Sequence, residues 1–123
     1  MTEAVLDASA MLAFLQGEPG ADRVEEQLVA GARCGAANWS EIAQKVRAAG
    51  RDWDLAKALL TSYGVVIEPV TADDGEAAAR RWLRGGGLSL ADRLCLALAD
   101  RVGLVAWTAD ATWGRGPGVR QIR

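Results

Sequence analysis

The 123-residue chain contains no histidine. That absence excludes Ser-His-Asp and Cys-His nucleophilic catalysis, histidine acid–base chemistry and His-ligated zinc together. Any hydrolysis must run on carboxylates with a hard cation, or on hydroxyl and lysine groups. Cysteine is scarce: Cys34 and Cys95 make neither a disulfide framework nor a Cys-rich zinc site. Their apolar surroundings suit core thiols in a reducing cytoplasm. No apolar run approaches the roughly 20 residues needed to span a bilayer, and Met1-Thr2-Glu3-Ala4 lacks the basic, apolar character of a signal peptide. A cytoplasmic protein without membrane contact is expected.

What is present suits one globular domain over residues 1–123: half the residues are apolar and no low-complexity tract appears. Charge is uneven. Residues 1–79 hold thirteen acids against six bases, whereas residues 80–123 hold eight arginines against Asp92, Asp100 and Asp110. An arginine-rich half suits a polyanion or an acidic partner, and equally a solvated surface.

Leu88 to Ala99 organises the chain, because it opens a helix with no charge from Leu94 to Ala99, too apolar to lie on a surface. Short apolar runs at Ala4–Asp7, Cys34–Ala37, Val65–Pro69, Leu104–Thr108 and Val119–Ile122 predict strands. Helices are expected over Ser9–Leu15, Ala21–Gly31, from Asn38 to near Gly50, over Asp52–Tyr63 with Leu55, Leu59 and Leu60 inward, and over Thr71–Arg84. The acids opening that last helix and the arginines closing it complement its macrodipole. Strands separated by helical segments imply an α/β fold with a mainly parallel central sheet of four to five strands and helices on both faces.

In such a sheet all strand C-termini lie on one edge, where ligands bind. Asp7 ends the first strand, Glu41 enters the helix after the second, Asp92 sits in the first turn of the buried helix, and Asp110 follows the fourth strand. Each has a purely structural explanation. Glu41 with Asn38 and Asp92 with Ser89 resemble capping boxes, Asp7 can cap a helix and Asp110 can form an Asx turn. Converging carboxylates, however, cannot all stay ionised without a counter-charge. An all-oxygen ligand set selects Mg²⁺, with Mn²⁺ as a possible substitute.

Val5-Leu6-Asp7-Ala8-Ser9-Ala10, Glu18-Pro19-Gly20, Asn38-Trp39-Ser40-Glu41, Leu88-Ser89-Leu90-Ala91-Asp92-Arg93 and Thr108-Ala109-Asp110 resemble the PIN-domain nucleases, specifically VapC-type toxins, in order and spacing. The resemblance implies a three-layer α/β/α PIN-like fold. It also implies Asp7, Glu41, Asp92 and Asp110 as a metal-binding catalytic quartet, with Ser9, Thr108 and Asn38 in support. RNA as substrate, a cognate VapB-like antitoxin as inhibitor and a homodimer are implied likewise. A further acid found in some relatives after the Asp110 position is replaced here by Ala111, Thr112 and Trp113, which leaves one-metal and two-metal schemes open. Arg93 and Arg115, neighbours of the acidic rim, are candidate RNA contacts, and the tryptophans could stack bases.

Two other classes compete. A receiver-type domain also gathers acids at a sheet rim around Mg²⁺, but wants paired acids at the first strand and a lysine near the last; no lysine follows Lys57. A catalytically silent PIN-fold binding module is the second. A haloacid-dehalogenase-like phosphatase needs Asp-x-Asp, which Asp7-Ala8-Ser9 fails.

Overall fold

The computed structural model describes residues 3–123. Five strands form one sheet in which every neighbouring pair is parallel: β1 (Ala4–Leu6), β2 (Ala32–Gly35), β3 (Val66–Glu68), β4 (Val105–Thr108) and β5 (Val119–Gln121), in the order β3-β2-β1-β4-β5. Helices α1 (Ala8–Gln16) and α2 (Ala21–Ala30) link β1 to β2, α3 (Ala36–Ala48) and α4 (Trp53–Ser62) link β2 to β3, and α5 (Ala72–Arg80) and α6 (Leu90–Val102) link β3 to β4. A 3₁₀ turn over Ala111–Trp113 precedes β5. None of these helices is long and apolar enough to cross a membrane.

Alternation along β1 builds the layers. Ala4 and Leu6 face a core filled by Met11, Val24, Leu28, Ile42 and Leu60 from α1 to α4. Val5 faces the opposite side, against Cys95, Leu96, Leu98 and Ala99 of α6 and Ala106 of β4. The apolar stretch of α6 is therefore buried as its composition predicts, and both cysteines are free and buried.

Several boundaries differ from the sequence reading. The second strand lies at Ala32–Gly35 and not at Cys34–Ala37, because Arg33, a charge in an interior strand, is held on both sides. Its guanidinium pairs with Glu3 at 3.1 Å and Glu68 at 2.9 Å. Helix α3 consequently opens at Ala36, with Gly35 as a cap that makes no side-chain hydrogen bond. Asn38 is inside the first turn and forms no capping box, and Glu41 lies in the second turn. Helix α5 ends at Arg80, four residues short of the expected Arg84. On α4, Leu60 is buried as expected, but Leu55 is 70% exposed and Leu59 also faces outward.

Gly20 explains the Glu18-Pro19-Gly20 motif. Its φ is +94°, and a Cβ there would lie 2.7 Å from the Ile122 carbonyl oxygen and 2.8 Å from the Ile122 side chain. Only glycine lets the start of α2 approach the end of β5 so closely.

Candidate active site

Parallel strands aim Asp7, Thr108 and the start of α3 at one edge of the sheet. Asp7 follows β1 as the N-cap of α1, its Oδ1 accepting from the Ala10 amide at 2.8 Å. Thr108, the last residue of β4, donates through Oγ1 to Asp7 Oδ2 at 2.5 Å. Ser9 Oγ lies 2.8 Å and 2.9 Å from the two Asp7 oxygens and accepts from the Ala109 amide at 2.9 Å. The Asp110 amide in turn donates to Thr108 Oγ1 at 3.0 Å. Ser9 and Thr108 thus fix both Asp7 and the backbone leading to Asp110.

Burial pushes the Asp7 carboxyl up from its ordinary 3.8 to about 6, against the lowering effect of its hydrogen bonds to Thr108, Ala10 and Ser9; the charge of Asp92 adds to the rise. A buried carboxylate with three donors yet an elevated pKa calls for a positive partner when ionised.

The other acids are anchored to their own helices. Asp92 and Ser89 form a reciprocal capping box at the start of α6, with Asp92 Oδ2 accepting from the Ser89 amide at 3.0 Å. Asp110 caps the 3₁₀ turn, its Oδ1 accepting from the Thr112 amide at 2.9 Å and the Thr112 hydroxyl at 2.7 Å. Asn38, buried on α3, donates to Glu41 Oε1 at 3.2 Å and to the Ala91 carbonyl at 3.4 Å, so it ties Glu41 to α6. The structural roles and the convergence are compatible: Asp7, Glu41, Asp92 and Asp110 all line one cleft of about 190 Å³, together with Ser9, Lys45 and Ser89.

Among the described residues no three acidic or cysteine side chains already form a tight metal-binding group. The residues still fit Mg²⁺. Every donor is an oxygen, the cleft is roomy enough for a hydrated ion, and Mg²⁺ takes only a few carboxylates directly while keeping several waters.

Two positions stand apart from expectation. Arg93 does not line the cleft: its Nη1 donates to the Ala78 carbonyl of α5 at 2.9 Å and its Nε is buried. Lys45, which the reading of the sequence passed over, lines it. Its signal was the four-residue step from Glu41, which puts both on one helix face. Arg115 borders a neighbouring cavity beside Ala109. Among the tryptophans, Trp39 and Trp53 meet edge-on with ring centroids 5.1 Å apart at the core margin, while Trp82 is exposed under the Arg84 guanidinium.

A separate and larger groove of about 410 Å³ is lined mostly by apolar side chains, among them Leu12, Leu15, Val46, Leu55 and Leu59. Arg51 and Asp52 add one charge of each sign to its lining, and the groove explains where the outward leucines of α4 point.

Comparison with known proteins identifies the family of this fold. The PIN domain family model matches residues 4–117. A VapC ribonuclease of Mycobacterium bovis and Ribonuclease VapC42 of Mycobacterium tuberculosis are each 34% identical over 110 residues, covering 80% of this chain and 84% of the relative. Among solved structures, a toxin–antitoxin complex from Klebsiella pneumoniae superposes with a TM-score of 0.76 at 21% identity, covering 98% of each chain. The Mycobacterium tuberculosis toxin VapC20, described as cleaving the sarcin–ricin loop, superposes with a TM-score of 0.72 at 20% identity, covering 88% of this chain and 90% of that one. These matches set aside the receiver-type alternative. With a family model spanning β1 to the approach to β5, this chain belongs to the PIN domain family.

Proposed function

We propose that the protein is a VapC-type toxin, a Mg²⁺-dependent endoribonuclease that hydrolyses RNA phosphodiester bonds at the cleft of Asp7, Glu41, Asp92 and Asp110. The observation that carries this reading is the arrival of four carboxylates from separate elements in one cleft of a PIN-family chain. Asp7, Asp92 and Asp110 would hold the ion most directly, and Glu41 would complete the site. When bound, Mg²⁺ or Mn²⁺ supplies Lewis-acid stabilisation of phosphoryl charge and eases deprotonation of water.

The chain's own residues do the rest. Ser9 and Thr108 hold Asp7 in one orientation through hydrogen bonds that favour its ionised form. Asn38 fixes Glu41, whose carboxylate orients a water toward phosphorus and takes up its proton. The new phosphorus–oxygen bond forms as the bond to the departing strand breaks, and the departing oxygen takes its proton from solvent. Held on helix ends and strand ends, these groups need little rearrangement during the reaction.

The relatives' setting suggests control by a small antitoxin, and the groove of Leu12, Leu15, Leu55 and Leu59 suits an apolar helix of such a partner or of a second copy in a homodimer. Leu12 and Gln16 border both this groove and the cavity next to the acidic cleft, so an occupant would sit within reach of the site.

The test is cleavage of single-stranded RNA by the purified protein with Mg²⁺ or with EDTA, beside Asp92→Asn. Cleavage that needs Mg²⁺ and vanishes in a folded Asp92→Asn variant supports the reading. Undiminished Mg²⁺-dependent cleavage by that variant, or none by the wild type, contradicts it.

A further inference from the structure

Three adjoining depressions make one trough. Ser9, Lys45 and Asp110 wall both the acidic cleft and a second cavity of about 390 Å³, which reaches Ala109 and Arg123. Ala109 and Arg123 in turn border a third, of about 150 Å³, with Arg115 and Gln121. Gln121 holds this end in shape, since its Nε2 donates to the Asp110 and Gly114 carbonyls, each at 2.9 Å. The path from the carboxylates therefore runs past Lys45 to Arg123 and Arg115.

Its cations are engaged to different extents. Among the described residues Lys45 makes no ion pair, although Glu41 is one turn away. Arg115 makes a 3.3 Å hydrogen bond to the main-chain oxygen of Arg123. Arg123 is shared between the Pro19 carbonyl at 3.1 Å and Glu18 at 3.6 Å. Among the described residues, apart from the cleft's own carboxylates, Glu18 supplies the only acidic side chain bordering this path. With a net charge of −2, the protein as a whole does not attract a polyanion, so a strand must be held by local cations such as these.

We propose that this trough carries the RNA strand on one side of the cleaved bond, with Lys45 at the phosphate nearest the site and Arg123 and Arg115 at phosphates farther along. The proposal rests on the ribonuclease reading and assigns the route by which the substrate leaves the cleft. Phosphate contacts of this kind hold the strand in register and carry no base preference. Lys45, a compact point charge, suits a role beside the carboxylates, whereas the planar arginines suit phosphate oxygens at the open end.

Fluorescence anisotropy with a labelled single-stranded oligoribonucleotide of mixed sequence, in Ca²⁺ and in EDTA across a salt series, tests it separately from cleavage. Variants are Lys45→Gln, Arg115→Gln, Arg123→Gln and their combination, with Lys45→Arg as the conservative exchange and Lys57→Gln on exposed α4 as the charge-matched control. Each trough substitution is expected to weaken binding about threefold to tenfold and to reduce the salt slope by about 0.7. Lys45→Arg should recover most of the loss, and Lys57→Gln should bind as wild type does. Unchanged affinity and slope in the combined variant would overturn the trough, as would an equal loss in Lys57→Gln. A wild type that cleaves RNA while its trough variants bind normally removes this proposal alone. A wild type that neither binds nor cleaves RNA removes the ribonuclease reading with it.

Discussion

Thr108 Oγ1 and Asp7 Oδ2 are 2.5 Å apart, a hydrogen bond between the ends of two adjacent parallel strands. It is the closest polar link between β4 and the acid at the centre of the site, and both residues are buried. Thr108→Val keeps the shape and deletes the donor. Removing one partner of a buried charge-assisted hydrogen bond costs about 1–3 kcal/mol, so thermal unfolding should show a loss of that order. The Asp7 carboxyl should also titrate above about 6, read by carboxyl carbon NMR. An unmoved Asp7 titration would mean the hydroxyl does not hold its charge.

Asp7 also sets a pH dependence. Its folded pKa, about 6, lies above the ordinary value of 3.8, so the folded state binds the proton more tightly than the unfolded chain does. Below about 4 both states are protonated and the shift has no effect. Stability then falls as pH rises from about 4 to about 6, by about 3 kcal/mol for a shift of about two units. In EDTA, Asp7→Asn should lose this slope and unfold at a higher temperature than wild type at pH 7. Parallel pH curves for the two proteins would contradict the assignment.

Asp74 works in the opposite direction. Arg101 Nε and Nη2 donate to its two carboxylate oxygens at 2.8 Å and 3.1 Å, joining α5 to α6. The Arg101 hydrogen bond lowers the Asp74 pKa, burial opposes this, and the capping box with Thr71 lowers it further. This contribution is present above about pH 4 and is lost as pH falls through the lowered folded value. Because Arg101 is partly exposed, Arg101→Met should cost only about 1–2 kcal/mol at neutral pH. The difference between variant and wild type should shrink in acid, as followed by urea unfolding; a constant difference would remove the ion pair as its cause.

The parts of the chain with strong local signals were legible. The capping box of Ser89 and Asp92, the uncharged run of α6 and the positions of Asp7, Asp92 and Asp110 at element ends are all written in short stretches. Long-range pairings were not. Arg33 masked β2 because its charge is neutralised by Glu3 and Glu68, neither of which is near in sequence. Asp74 read as a helix-dipole acid, although its partner lies on the next helix. Leu55 and Leu59 share the periodicity of core residues, yet they border an open groove, since periodicity identifies an apolar face without saying what covers it. Arg93 was adjacent to the rim in sequence, but its helix phase turns it toward α5.

That the four carboxylates together hold a divalent cation is tested most directly by thermal unfolding against Mn²⁺ or Mg²⁺ concentration. An ion bound by the folded state stabilises it by about 2.7 kcal/mol at a hundredfold excess over its dissociation constant. The wild type should therefore melt at steadily higher temperature as the metal is raised at neutral pH. Asp92→Asn, which retains an oxygen to accept from the Ser89 amide, should fold and show little of that rise. Equal rises in both proteins, or none in the wild type, would contradict a cation held where these side chains meet.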